Sequence, residues 1–367
     1  MWRQLSLNFG SGYPRVIHAD DPPTSTILER VERHSAYLKA LHISPVRIAQ
    51  ILTWPDAHWR KVIKVRNDKE RICWVPAAYL YKVQQKLASH LGKYVGHDGP
   101  MVLPRVSQAY LPGSSIVRNA EAHQQNRSSW CIDLVGAFES ITARHIERYL
   151  LRHFDFGGLS WRMSAAVSGS LTYEQYQEKS KYLRHLWRHD LAWIFSRLLT
   201  YRGRLRQGPP SSPCIFNALM NRFDEKVVEA LGGEVPLLVS EEEDELPLWP
   251  VTRDQTLVVY TRYGDDLCFS SSAEEFPEDV KVKVKAVILA QGFEYNPKKI
   301  YLGRRGILEF PGVLIINGRR RPTGSYITHL AKQRETLTSA QRRGHRGFLN
   351  QFGKAGKLPV IQRLIGR

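Results

Sequence analysis

The sequence predicts an α+β protein in which helices interrupt an antiparallel sheet. Two apolar segments, Thr256–Arg262 and Leu267–Ser270, flank the tight turn Tyr263-Gly264-Asp265-Asp266 and read as a hairpin. A second strand–turn–strand pattern runs from Val62–Val65 through the polar residues 67–70 to Arg71–Val75. Between and around these hairpins lie segments whose apolar residues recur every three or four positions, the helical period. With 367 residues, 43% of them hydrophobic and 24% charged, the chain has ordinary globular composition and length for roughly two or three domains. No apolar run approaches the ~18 residues of a membrane span, so an integral membrane protein is not expected, and no membrane is expected among the partners.

Taken in order, Thr26–Trp54 reads as helical, with Ile27, Leu28, Val31, Leu38, Leu41 and Ile48 on the period and Pro45 breaking it in two. Pro76 closes the first hairpin, and Ala77–Leu91 follows as a helix. After a Gly/Pro-rich loop, Trp130–Val135 reads as a buried strand and Ile141–Phe154 as a helix. Thr172–Thr200 is helical and rich in aromatic residues, and Pro213 starts a helix running to about Leu231. Residues 234–253 form an acidic, Pro-containing surface insertion before the second hairpin.

The balance of 53 Lys+Arg against 35 Asp+Glu gives a formal charge of +18, which favours a polyanionic partner, nucleic acid first. The surplus is uneven: Arg319–Arg367 holds twelve basic residues and one acid, whereas Glu241-Glu242-Glu243-Asp244-Glu245 is the acidic pole. That acidic run is either a solvated insertion or a docking point for a partner protein. The start of the chain lacks the basic-then-apolar order of a secretory signal, so a cytoplasmic protein is expected. Cys73, Cys131, Cys214 and Cys268 lie too far apart for a zinc pairing and read as small buried thiols.

The strongest chemical signal is the pair Asp265-Asp266 at a turn between apolar strands, joined by Asp133 near the end of another buried strand. An Asp within an apolar strand is costly unless a cation or donor compensates it. If the strands are neighbours, three carboxylates converge, and like charges that close require a divalent metal. Hard oxygen ligands suit Mg²⁺, with Mn²⁺ as substitute. Two such ions ~3.5–4 Å apart carry nucleotidyl transfer, which agrees with the basic surface.

These residues resemble the palm and fingers of reverse transcriptases, over roughly residues 60–330, and the resemblance implies a right-hand polymerase fold. Asp133-Leu134-Val135-Gly136-Ala137-Phe138 is similar to the first palm motif, and Gln207-Gly208-Pro209-Pro210-Ser211-Ser212-Pro213 to the second. Tyr263–Asp266 resembles the catalytic hairpin. Gly292-Phe293 with Asn296 and Lys299 resembles the next motif, and Phe310-Pro311-Gly312-Val313 the primer grip. The resemblance implies an N-terminal helical segment at 1–55, fingers at 56–128, a palm at 129–318 carrying the acidic insertion, and a small basic helical thumb at 319–367. It implies two metal ions held by Asp133, Asp265, Asp266 and the Leu134 carbonyl. Phe138 would exclude a ribose 2′-hydroxyl, with Gln207 and Gly208 beside the new base pair. Arg66 and Arg71 would clamp the triphosphate of the deoxynucleotide, and Lys299 would assist pyrophosphate departure. Arg319, Arg320, Arg321, Arg342, Arg343 and Arg346 would track RNA phosphates; their alternative is a solvated basic surface.

Asn119-Ala120-Glu121-Ala122-His123 resembles a signature of retron reverse transcriptases, which copy part of their own structured noncoding RNA into single-stranded DNA in antiphage defence. On that reading Asn119 and His123 hold RNA, the alternative for His123 being a helix-surface or capping histidine. The implied partners are the template RNA, its DNA product, deoxynucleoside triphosphates and a defence effector protein. Two positions depart from the retron pattern: Gly264 stands where alanine is usual, and Phe310-Pro311-Gly312 where Val-Thr-Gly is usual. Other defence-associated reverse transcriptases, group II intron-like enzymes, viral RNA-dependent RNA polymerases and a non-catalytic RNA-binding protein are the alternatives. Phe138 and Gln207-Gly208 favour DNA synthesis over RNA synthesis.

Overall fold

A computed structural model describes residues 24–66, 69–95, 106–111, 113–153, 188–233, 250–253, 256–333 and 335–353. The chain divides into two compact units that interleave in sequence: 1–89 with 142–212, and 90–141 with 213–367.

In the first unit, the 26–54 helical segment is three helices, α1 (Thr24–Arg33), α2 (Ser35–Ala40) and α3 (Pro45–Thr53). Pro45 begins α3, where its missing N–H costs nothing. The earlier break comes at His34, which is fully buried with its Nε2 3.2 Å from the Asp190 carboxylate. Arg30 and Arg33 pair with the same carboxylate. Asp190 lies in the helix α8 (188–198), the described end of the 172–200 helix; the remainder falls outside the described residues. Strands β1 (Trp59–Arg66) and β2 (Lys69–Pro76) pair antiparallel with Trp59 opposite Pro76 and Arg66 opposite Lys69. Helix α4 (Ala78–Val95) follows.

The second unit holds the main sheet, ordered β4–β5–β6–β3–β7 and antiparallel throughout. Its strands are β3 (Ser128–Val135), β4 (Pro250–Arg253), β5 (Thr256–Tyr263), β6 (Asp266–Ser271) and β7 (Glu294–Gly303). β4 therefore makes the end of the expected surface insertion an edge strand, while 241–245 lies outside the described residues. β3 lies between β6 and β7 and is buried along nearly its whole length, as its run Trp-Cys-Ile-Asp-Leu requires. Alternation puts Trp130 against Phe269 and Phe276. On the opposite face, Cys131 and Cys268 join Val117, Ala120, Leu308, Phe310, Val313 and Ile315. As read from the sequence, Cys73, Cys131 and Cys268 are buried free thiols; Cys214 is half-buried.

A second sheet is formed by β8 (Ile307–Phe310), β9 (Val313–Ile316) and β10 (Arg319–Pro322). Pro311-Gly312 turns β8 into β9, with Gly312 at φ +75°, the conformation that favours glycine after proline. The expected thumb boundary at 318/319 needs correction, because Arg319–Pro322 hydrogen-bonds to β9 and continues the sheet. Charged residues suit it as an edge strand. Residues 90–128, expected within the fingers, fall in the second unit.

The remaining helices are α5 (Ile116–Glu121), the single turn α6 (Ala137–Ser140), α7 (Ala143–His153, in the first unit) and α9 (Ser212–Ala230). Then come α10 (Glu278–Ala290), α11 (Gly324–Gln333) and α12 (Ser339–Asn350). The last two enclose Leu330, Leu337 and Leu349, and Thr338 with Gln341 forms a capping box at the start of α12. No described helix is long and apolar enough to cross a membrane.

Candidate active site

The register of the central sheet brings the acids together. Asp133 on β3 stands directly opposite Asp266 on β6, and the Leu134 N–H donates to the Asp265 carbonyl at 3.1 Å. Gly264 and Asp265 form the turn between Tyr263 and Asp266, with Gly264 at φ +68°. Because Asp133 and Asp266 lie two residues beyond Cys131 and Cys268, they share that pair's face of the sheet.

On the other side of β3 the ladder with β7 slips. Ile132 faces Ile300 but Leu134 faces Tyr295, so residues 296–299 bulge opposite Asp133. Pro297, which cannot donate to the ladder, lies in this bulge. The bulge carries Lys299, whose Nζ donates to both Asp133 oxygens at 2.9 Å. Burial opposes the Lys299 charge. The hydrogen bond to Asp133 and the fields of Asp133, Asp266 and Asp265 outweigh it and hold the pKa above its ordinary value. Lys299 thus feels all three acids. Among the described residues no three carboxylate, histidine or cysteine groups close around one point. The backbone register brings the three acids together, and the Lys299 ammonium takes the Asp133 carboxylate.

Phe138 is 5% exposed, stacked on Phe216 at 4.4 Å and met edge-on by Tyr110 at 6.5 Å. Tyr110, at φ +62°, has its hydroxyl 3.3 Å from where a side-chain carbon on Gly264 would stand. Burial and the nearby Asp265 push the Tyr110 phenol up to about 12, so it stays protonated.

Beneath the turn lies a network the sequence reading missed. Arg262 is fully buried and paired with the equally buried Asp224, its Nε 2.9 Å from Oδ1 and a terminal nitrogen 2.9 Å from Oδ2. Its other terminal nitrogen donates to the Gly264 carbonyl at 3.1 Å and to Asn217 Oδ1 at 3.2 Å. Tyr260 also donates to Asp224 at 2.8 Å. Arg262 was legible only as an arm of the hairpin.

The remaining expected residues separate. Asn119 and His123 are both fully buried, which corrects the reading that they hold RNA: nucleic acid has no access to either side chain. The Asn119 amide reaches Cys268 Sγ at 3.5 Å. His123 lies between strands, with Nδ1 2.7 Å from Ser270 Oγ and Nε2 2.7 Å from Thr261 Oγ1. Phe310 of the expected primer grip is buried, while Pro311 and Gly312 are half-buried. Arg319, Arg321, Arg343 and Arg346 are exposed; Arg320 pairs with Glu121 at 3.1 Å, and Arg342 donates to the Leu337 carbonyl.

In the first unit, Arg71 is exposed on β2, and Arg66 ends β1 with its side chain outside the described part. The Gln207 carbonyl accepts from the Trp74 N–H at 3.0 Å. Gly208, at φ +118°, sits so close that a side-chain carbon would stand 2.8 Å from the Trp74 carbonyl oxygen. This close approach of Gly208 is to the β1–β2 hairpin.

Residues 63–315 match the family model described as reverse transcriptase (RNA-dependent DNA polymerase). The Mx162 retron reverse transcriptase of Myxococcus xanthus is 25% identical over 90% of this chain and 63% of its own length. The Ec83 retron reverse transcriptase of Escherichia coli is 24% identical over 75% of each chain. The Mx65 retron enzyme of Myxococcus xanthus is 26% identical over 56% of this chain and 40% of its own length. The chain thus spans less than two thirds of the first of these relatives. They bear out the resemblance to retron enzymes drawn from the 119–123 signature. With its paired carboxylates on adjoining strands inside the matched region, the chain belongs to the reverse transcriptase family.

Proposed function

We propose that the protein extends a primer with deoxynucleotides on an RNA template, copying a dedicated structured noncoding RNA into single-stranded DNA within a retron antiphage system. The observation that carries this reading is the opposition of Asp133 and Asp266, with Asp265 tied to Leu134, in a chain of this family. Asp133, Asp265, Asp266 and the Leu134 carbonyl would hold two Mg²⁺ ions, or Mn²⁺. The donor set fits, being all hard oxygen, and the Lys299 ammonium on Asp133 marks a place that demands positive charge. When bound, these ions would supply activation of the attacking hydroxyl and charge stabilisation of the leaving pyrophosphate.

The chain's own residues do the rest. Arg66 and Arg71 grip the triphosphate, and Gln207-Gly208 lies along the new base pair. Phe138, fixed between Phe216 and Tyr110, is a rigid wall against a 2′-hydroxyl. Lys299 holds a proton beside the departing pyrophosphate. Pro311-Gly312 and the exposed arginines after Gly318 keep primer and template in place.

The test is Mg²⁺-dependent extension of a primed RNA, with sequencing of nucleic acid that copurifies. Asp265→Asn with Asp266→Asn is expected to abolish extension, and Phe138→Ala to raise ribonucleotide use. One defined RNA joined to complementary DNA, with the DNA absent from the double variant, is the retron outcome. Heterogeneous RNA without DNA would move the reading to another defence-associated or group II intron-like enzyme. Extension that survives the double variant would overturn the site.

A further inference from the structure

His123 is placed where it touches both halves of the polymerase centre. Its two ring nitrogens meet hydroxyls on the two strands of the catalytic hairpin, Thr261 on β5 and Ser270 on β6, each at 2.7 Å. Asn126 fixes the Ser270 hydroxyl from the other side, its Nδ2 donating at 2.6 Å. The flat face of the imidazole stacks on Phe310, with centroids 4.6 Å apart and planes at 26°. Phe310 is the last residue of β8 and leads directly into the Pro311-Gly312 turn. Thr261 lies two residues before Tyr263 at the catalytic turn.

We propose that His123 is a positioning residue that couples the catalytic hairpin to the primer grip, fixing where the primer end lies relative to Asp265 and Asp266. This rests on the polymerase reading above. A neutral imidazole, with one N–H and one acceptor nitrogen, satisfies both hydroxyls at once. Burial keeps it neutral, pushing its pKa down to about 3. The ring is also wide enough to present a stacking face to Phe310 while both nitrogens are engaged, which no amide or aliphatic side chain does. Asn119, four residues earlier on α5, packs beside Cys268 on the same sheet and seats the helix that delivers the histidine.

The experiment uses His123→Phe, which keeps the stacking ring and removes both hydrogen bonds, and Thr261→Val, which removes one hydroxyl partner with little change of shape. Each full-length protein extends two substrates: a poly(rA)·oligo(dT) duplex, which has no fold to recognise, and the RNA that copurifies with the unsubstituted protein. The expected result for His123→Phe is a KM for primer–template raised by about tenfold on both substrates, with the KM for deoxynucleotide unchanged. Thr261→Val moves the same parameter less, and adding it to His123→Phe changes nothing further, because that bond is already gone.

A defect confined to the copurifying RNA would overturn the proposal in favour of RNA recognition. A uniform fall in kcat with both KM values unchanged, or strictly multiplicative effects of the two substitutions, would reduce His123 to core packing. If His123→Phe fails to fold, the KM of Thr261→Val combined with Ser270→Ala decides between the same outcomes. Absence of extension by the unsubstituted protein on both substrates would instead sink the polymerase reading.

Discussion

Gly264 illustrates what one residue can decide. Two constraints converge on it: the turn requires φ +68°, and the Tyr110 hydroxyl lies 3.3 Å from where a side-chain carbon would stand. The alanine usual in retron enzymes would bring a methyl within 3.3 Å of that oxygen, closer than carbon and oxygen normally approach without a shift of the neighbour. Gly264→Ala is therefore expected to slow extension about tenfold, roughly 1.4 kcal/mol. Tyr110→Phe, which removes the oxygen, is expected to restore part of the loss, leaving the backbone strain as the remainder. Steady-state kinetics of the two single variants and the double variant check this. Equal defects with and without the Tyr110 hydroxyl would show that only the turn conformation matters.

At the scale of elements, the β5–β6 hairpin is held by a buried ion pair. Arg262 and Asp224 are both fully buried, and the pair reaches the turn through the Gly264 carbonyl. Asp224→Ala leaves a buried guanidinium without its counter-charge and is expected to cost ~3–5 kcal/mol in urea denaturation. Arg262→Met with Asp224→Leu is expected to cost less than Asp224→Ala alone, since no buried charge is left over. The hairpin arms were legible in the sequence because Leu257–Tyr260 and Leu267–Phe269 are apolar runs around a turn. Arg262 was opaque, because a partner 38 residues away leaves no local trace. His123 was misread for a related reason: its nearest functional neighbours lie on strands more than a hundred residues later. Helix α10 escaped notice because Val280–Lys285 alternates like a strand. Yet Val280, Val284 and Ile288 are the residues it buries, at helical spacing.

The whole molecule carries a net +18, and the described exposed arginines of its last part include Arg319, Arg321 and Arg343. If these contact phosphates, RNA affinity falls steeply with salt. Replacing the three by Gln is expected to flatten the log–log salt dependence by ~0.7 per lost contact with single-stranded RNA. Equilibrium binding at several salt concentrations measures that slope directly; an unchanged slope would assign these arginines to a solvated surface. The domain plan was legible only in outline. Motif order placed the two hairpins, but it did not show that β10 continues the β8–β9 sheet or that residues 90–128 belong to the second unit.

The sheet order has one more consequence, and it concerns synthesis. β3 sits between β6 and β7, yet translation reaches Asp266 of β6 131 residues after Val135 of β3. At ~5–20 residues per second, the apolar strand Ser128–Val135 leaves the ribosome on the order of ten seconds before its first neighbour exists. The central strand of the finished sheet is thus without its sheet partners while the nascent chain lengthens, and the yield of folded protein depends on how that interval is protected.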